Sequence, residues 1–285
     1  MNAHAPPVRD RRPGVTVLMS THAGETAANL AASLGSIRAQ TLPPDRIVLV
    51  LDGPVGADQE AVIAASLAAP ALDVVRLLGN VGLAAAMNEG LAHCPDGWVM
   101  RMDSDDLCQP DRLAVQMAYA AANPGIDVIS SWSEEFYEDG AASQIKVSAT
   151  GHDAVVQALR WRNVLVHPTI LARTEALRRI GGYRADYGRL EDYDLFVRLA
   201  QSGARFHVIP KVLVRVRSST AQKQRRGGLA YCLSELRFRI ACYRSGFLTL
   251  RQFATVTPLY LGFRLASGRA KRALYRLART TDATA

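Results

Sequence analysis

Short apolar runs and amphipathic stretches alternate along the first hundred residues. Val15–Met19, Ile47–Leu51, Val74–Leu78 and Trp98–Met102 are apolar, rich in β-branched residues and too short for helices, the signature of strands buried on both faces. Between them, Glu25–Gln40 carries Leu30, Leu34 and Ile37 on one helical face, Ala57–Ala69 is alanine-rich, and Leu83–His93 forms a third predicted helix. Strand–helix alternation with short loops predicts a doubly wound, mostly parallel α/β sheet with flanking helices. Further on, the pattern predicts a helix over Asp111–Ala122, a strand over Asp127–Ser133 running into an acidic loop at Glu134–Asp139, and a helix over Ala154–Trp161. A turn at Gly181-Gly182-Tyr183, an amphipathic helix opened by Arg189–Asp194, a last strand over Val208–Val216 and mostly helical chain from Leu229 to Arg279 complete it. The division this implies is a flexible polar arm (1–14), an α/β domain (15–217) and a basic, mostly helical C-terminal region (218–285).

Polar residues gather where the predicted strands end. Ser20 and Thr21 follow the first, Asp52 with Gly53-Pro54 the second, Asn80 and Gly82 the third, and Asp103, Asp105 and Asp106 the fourth. In open α/β sheets ligands bind beyond the carboxyl ends of the strands. Loops at strand ends are polar in any case, so each position alone carries little; four in succession point to a cleft. Asp103 and Asp105 stand at i and i+2 in Trp98–Asp106, close enough to share one divalent cation and a diphosphate bound to it. The competing reading is an acidic helix start before Pro110. Likewise Glu191 and Asp192 either serve the macrodipole of their helix or place a general base in the cleft, and His167, held extended by Pro168, is either structural or a pocket residue.

The net charge of +8 is unevenly spread. Residues 1–204 hold 17 Lys and Arg against 24 Asp and Glu, a net of −7, whereas residues 205–285 hold 17 against two, a net of +15. Basicity confined to one end argues against a general nucleic-acid binder. In the C-terminal region aromatic and leucine side chains interleave with arginines, which fits a helix lying on an anionic membrane surface or a basic, solvated helix packed on the domain. The four cysteines lack C-x-x-C spacing and read as reduced and mostly buried. No signal peptide or membrane span is recognisable, so a cytoplasmic location, peripheral to the inner face of the cell membrane, is expected.

The motifs V-L-M-S-T-H-A-G-E, V-L-V-L-D-G-P, N-V-G-L-A-A-A-M-N-E-G, R-M-D-S-D-D, H-P-T-I and L-E-D-Y-D-L occur in this order over Val15 to Gly228. Together they resemble the inverting, GT-A-fold glycosyltransferases of family 2, in particular the bacterial enzymes that build capsule, exopolysaccharide and O-antigen units. The resemblance implies a GT-A, Rossmann-like sheet and a nucleotide-sugar donor, a UDP-sugar, bound over the first half. Ser20, Thr21 and Glu25 would border base and ribose, Asp52 would hydrogen-bond the base, and Asn80 and Gly82 would lie near sugar and phosphates. Asp103 and Asp105 match the D-x-D motif for Mn2+ or Mg2+, with Asp105 the direct ligand, and Asp192 matches the catalytic base, with Glu191 beside it. The acceptor would be a lipid-linked or surface saccharide. Two departures stand out: His22-Ala23 replaces a common Tyr-Asn, and Gln222–Arg226 has Arg where processive synthases carry the Trp of Q-x-x-R-W. The second implies transfer of a single sugar, with Arg225 and Arg226 left to contact a diphosphate or lipid phosphate.

Three other classes fit the sequence less well. A sugar-phosphate nucleotidylyltransferase should carry a glycine-rich loop with Arg and Lys after the first strand, which Ser20–Glu25 lacks. A dehalogenase-type phosphatase places its D-x-D after an early strand, whereas Asp103 follows the fourth. A membrane-surface binding protein with a decayed transferase site would not need Asp52, Asp103, Asp105 and Asp192 together.

Overall fold

The computed structural model describes residues 13–67, 71–137, 142–218 and 228–265. The first half follows the pattern closely: β1 (Val15–Thr21), α1 (Ala27–Arg38), β2 (Arg46–Leu51), α2 (Ala57–Ala65), β3 (Ala71–Arg76), α3 (Leu83–Ala92) and β4 (Trp98–Arg101). Thr26 caps α1, its hydroxyl accepting the Asn29 N–H at 3.1 Å. β3, β2, β1 and β4 lie side by side in parallel. Alternate residues go to opposite faces: Val17, Met19, Ile47 and Leu49 pack under α1 and α4 (Arg112–Ala122), while Leu18, Val48 and Val50 pack under α3 and the helices that follow. This two-faced burial is why these strands read as unbroken apolar runs.

Beyond β4 the sheet becomes mixed. The remaining strands are β5 (Leu107–Cys108), β6 (Val128–Tyr137), β7 (Gln144–Lys146), β8 (Leu171–Arg173) and β9 (Phe206–Ser218). β8 inserts antiparallel between β4 and β6, and β6 then pairs parallel with β9. Glu134–Tyr137, predicted as part of an acidic loop, instead continue β6 as a partner of β9. Register shifts around Ser131–Ser133 bend the β6–β9 ribbon. Its far end pairs with β5, immediately after the acidic turn, and so brings β9 back over the end of β4.

Among the described residues, the helices of this half are α5 (His152–Leu159), α6 (Thr174–Arg179), α7 (Glu191–Gln201), α8 (Leu229–Arg244) and α9 (Leu250–Leu265), with a 3-10 turn at His167–Thr169. α8 packs on the domain: Phe238 is buried against Tyr187 and Tyr193, and its neighbour Arg239 forms a buried ion pair with Glu235 at 3.0 Å. Leu229, Leu233, Leu250 and Leu259 on α8 and α9 stay exposed. Among the described residues, no helix is long and apolar enough to cross a membrane.

Candidate active site

The predicted polar positions converge at the carboxyl ends of β1, β2 and β4. Asp52 is buried, and its two carboxylate oxygens accept the backbone N–H groups of Val81 (2.6 Å) and Gly82 (3.0 Å), while Asn80 Nδ2 donates to the Asp52 carbonyl at 3.3 Å. Asp52 therefore ties the loop that starts α3 to the end of β2. Gly53 makes this approach possible, with φ at +89° and no Cβ to strike the Asn80 backbone. Thr21 is buried with its hydroxyl turned inward and unpartnered, whereas Ser20 is partly exposed beside it. Glu25 accepts Thr26 N–H (2.7 Å) and Asn29 Nδ2 (2.8 Å) and is close enough for its charge to act on Asp105.

The acidic turn is clamped from both sides. Ser33 Oγ of α1 donates to the Asp103 carbonyl at 2.9 Å, and the Cys108 N–H donates to Ser36 Oγ at 3.0 Å. From β9, the Arg217 N–H donates to Asp106 Oδ1 at 2.8 Å and Arg217 Nε to the Asp105 carbonyl at 2.9 Å. Carboxylate oxygens of Asp103, Asp105 and Asp106 lie within 4.8 Å of one another. Burial, then the charges of Asp103 and Glu25, push the Asp105 carboxyl up to about 7. Burial and its two acidic neighbours hold Asp106 well above the usual carboxylate range, and its second oxygen is buried without a partner. Hard oxygen ligands, crowded negative charge and an orphaned oxygen together fit a divalent cation.

One buried cation already faces this cluster. Arg101 ends β4 two residues past Val99, on the same face of the sheet, with its side chain 3% exposed. It forms an ion pair with Asp103 Oδ1, while its Nε and Nη1 are buried without partners. Burial alone would lower its pKa; the Asp103 carboxylate outweighs that and keeps the guanidinium charged.

On the other wall, α7 begins with Glu191 and Asp192. Asp192 Oδ1 accepts the Tyr193 N–H (2.6 Å) and Oδ2 accepts Asn163 Nδ2 (2.9 Å). Glu191 has a buried, unpartnered Oε2, and burial pushes its carboxyl up to about 7 while the Arg101 charge pulls it down. His167 is buried, and its Nε2 shares a 2.9 Å hydrogen bond with Tyr183 Oη. Burial holds this imidazole well below its ordinary range, and hence neutral, with the Arg101 charge adding to the shift. Asn88 of α3 fixes Tyr183 by its backbone, accepting its N–H at 2.7 Å and donating to its carbonyl at 2.9 Å.

Ser20, Thr21, Glu25, Asp52, Asn80, Gly82, Asp103 and Asp105 thus gather at one end of the sheet, and Glu191 and His167 lie close enough to Arg101 for its charge to act on them, with Asp192 beside Glu191. Arg225 and Arg226 lie outside the described residues. Sequence reasoning missed Asn88, Arg101, Asn163, Tyr183 and Arg217. Only Arg101 carried a usable signal, a charge at the end of an otherwise apolar strand.

Comparison with known proteins agrees with this architecture. The glycosyl transferase family 2 model matches residues 16–181. The amylovoran biosynthesis glycosyltransferase AmsE of Erwinia amylovora is 33% identical over 236 residues, covering 82% of this chain and 88% of that protein. The UDP-Gal:alpha-D-GlcNAc-diphosphoundecaprenol beta-1,3-galactosyltransferase of Escherichia coli is 29% identical over 244 residues, covering 86% and 88%. S. aureus TarS 1–349 in complex with UDP-GlcNAc superposes with a TM-score of 0.68 at 16% identity, over 89% of this chain and 73% of that one, a likeness of fold. With the family model matching more than half of a chain whose fourth strand ends in this acidic turn, the protein belongs to glycosyltransferase family 2 and is an inverting glycosyltransferase of GT-A fold.

Proposed function

We propose that the protein transfers one sugar from a UDP-sugar to a hydroxyl of a lipid-linked or growing surface saccharide, with Asp103 and Asp105 holding Mn2+ or Mg2+ and Asp192 as general base. The observation that carries this is the meeting of two carboxylate sets, the turn after β4 and the start of α7, at one buried guanidinium. A cation on the first set would supply Lewis-acid neutralisation of the diphosphate charge that grows as the anomeric bond breaks. Asp106, anchored to the Arg217 N–H, completes the oxygen set. Asp52 shapes the donor pocket by holding the Val81 and Gly82 N–H groups, and from there its carboxylate would hydrogen-bond the base.

Asp192 is oriented by Asn163 and the Tyr193 N–H, and its carboxylate would accept the proton of the attacking hydroxyl. A single displacement inverts the anomeric centre and needs no carboxylate nucleophile. Ser20, Thr21 and Glu25 border base and ribose, and His167 lies toward the donor sugar or acceptor. The UDP class and the lipid-linked acceptor are supported by the name of the Escherichia coli relative. Exposed leucines on α8 and α9, beside the basic composition of this region, support work at an anionic membrane surface from the cytoplasmic side.

The test is thermal stability of wild type and Asp105→Ala with a panel of nucleoside diphosphates, with and without Mn2+. A ligand that binds only the folded state raises the melting temperature by mass action. The expected result is a Mn2+-dependent rise with UDP that Asp105→Ala loses. No rise with any nucleoside diphosphate at saturating concentration would overturn the proposal.

A further inference from the structure

We infer that Arg101 is the internal counter-cation of the acidic cluster: by pairing with Asp103 it makes the site a poor one for a free divalent cation and reserves it for a cation that arrives with a diphosphate. The inference rests on the proposed function, since it needs a metal–diphosphate ligand at this turn.

Arg101 is 2% exposed, reaches Asp103 from the sheet side, and forms an ion pair with this member of the three clustered carboxylates. A charge at the end of β4 costs desolvation, and two of its donors, Nε and Nη1, are buried with no protein partner, an arrangement that destabilises the fold. The opposite orphan is Asp106 Oδ2, a buried acceptor without a donor. Both are at the same turn, so the cluster is incomplete as it stands, with the buried Arg101 guanidinium paired to one of its three acids.

A divalent ion entering alone must compete with Arg101 for Asp103 and sits beside a fixed positive charge. An ion bearing a diphosphate brings its own negative oxygens, which offset that charge and offer the guanidinium further acceptors in charge-assisted hydrogen bonds. Cation and nucleotide should therefore bind with strong positive coupling, and by linkage each should tighten the other by the same factor.

The experiment measures Mn2+ dissociation constants by electron paramagnetic resonance of the free ion, with and without saturating UDP, at mildly alkaline pH, on wild type, R101M and R101K. Wild type is expected to bind Mn2+ weakly alone and far more tightly with UDP. R101M is expected to bind Mn2+ alone at least ~10-fold more tightly than wild type, the least that removing one unit charge a few ångströms from a divalent ion should give. Its coupling to UDP should shrink by a similar factor. R101K keeps the charge and should keep weak binding of Mn2+ alone. If R101M does not fold, R101Q replaces it and carries the same expectation. Mn2+ binding alone within twofold of wild type in the folded neutral variant overturns the role of Arg101 while leaving the proposed function standing. Failure of wild type to bind Mn2+ even with nucleotide overturns the proposed function and this inference with it.

Discussion

Asn88→Ala gives the most direct test of how the cleft is held together. Asn88 is on α3, packed against β1 and β2, and Tyr183 follows the Gly181-Gly182 turn between α6 and α7, 95 residues later. The amide forms a two-pronged clamp on the Tyr183 backbone, at 2.7 Å from its N–H and 2.9 Å to its carbonyl. Gly182 permits the approach, with φ at +68° and a Cβ that would collide with Asn88 Oδ1. Each hydrogen bond contributes about 1 kcal/mol net, and leaving a buried backbone donor or acceptor without a partner adds about 1–3 kcal/mol. Tyr183 is only 5% exposed, so water cannot fully replace the amide. The expected destabilisation is therefore about 2–4 kcal/mol, or roughly 4–8 °C in Tm for a domain of this size. Urea denaturation followed by far-UV circular dichroism, with a melting curve alongside, measures it. Asn88→Asp keeps the acceptor but sets a carboxylate oxygen against the Tyr183 carbonyl, and should be at least as damaging. A loss below about 0.5 kcal/mol in Asn88→Ala, within the range of ordinary surface substitutions, would refute the clamp.

Four other substitutions separate stability from chemistry. Glu191 has a folded pKa of about 7 against an ordinary value of 4.5, so the folded state holds the proton more tightly; its contribution is fully present below about pH 4.5 and is lost as pH rises through about 7. Glu191→Gln should remove that slope and gain up to about 3 kcal/mol at about pH 8 with little change near pH 4, by denaturant titration at both; an equal gain at both would contradict the assignment. Asp105→Asn removes a buried, mutually repelling carboxylate and should stabilise the ligand-free protein by about 1–2 kcal/mol while abolishing the Mn2+-dependent rise with UDP; a drop in Tm without ligand would show that Asp105 is structural. Asp192→Asn should lower kcat about 10²-fold or more with KM for the donor little changed, and Asn163→Ala should act in the same direction more weakly, both by radiolabelled sugar transfer. Unchanged kcat in Asp192→Asn would move the proton-accepting role elsewhere.

What the sequence determined by itself was local. The apolar runs that became β1, β2, β3 and β4, the helices between them and the polar strand ends follow from periodicity and turn chemistry, which act over a few residues. The same reasoning placed Asp103, Asp105, Glu191 and Asp192 at exposed ends of elements, where charge is tolerable. Only the tertiary structure decided how the halves meet. Leu171–Arg173 is too short to announce itself as a strand, and its antiparallel place between β4 and β6 comes from pairing with Trp98–Met100 more than seventy positions earlier. The prolonged β6 depends on β9, and the clamp of Arg217 on the acidic turn spans 111 residues. Asp52 was legible as a carboxylate at a strand end, whereas its hydrogen bonds to the backbone of Val81 and Gly82 were not. Arg101 shows the difference most sharply. Its charge is visible in the sequence, but its burial and its pairing with Asp103 depend on which distant elements close over the end of β4. Desolvation and charge compensation are set by three-dimensional neighbours, and the order of residues along the chain does not contain them.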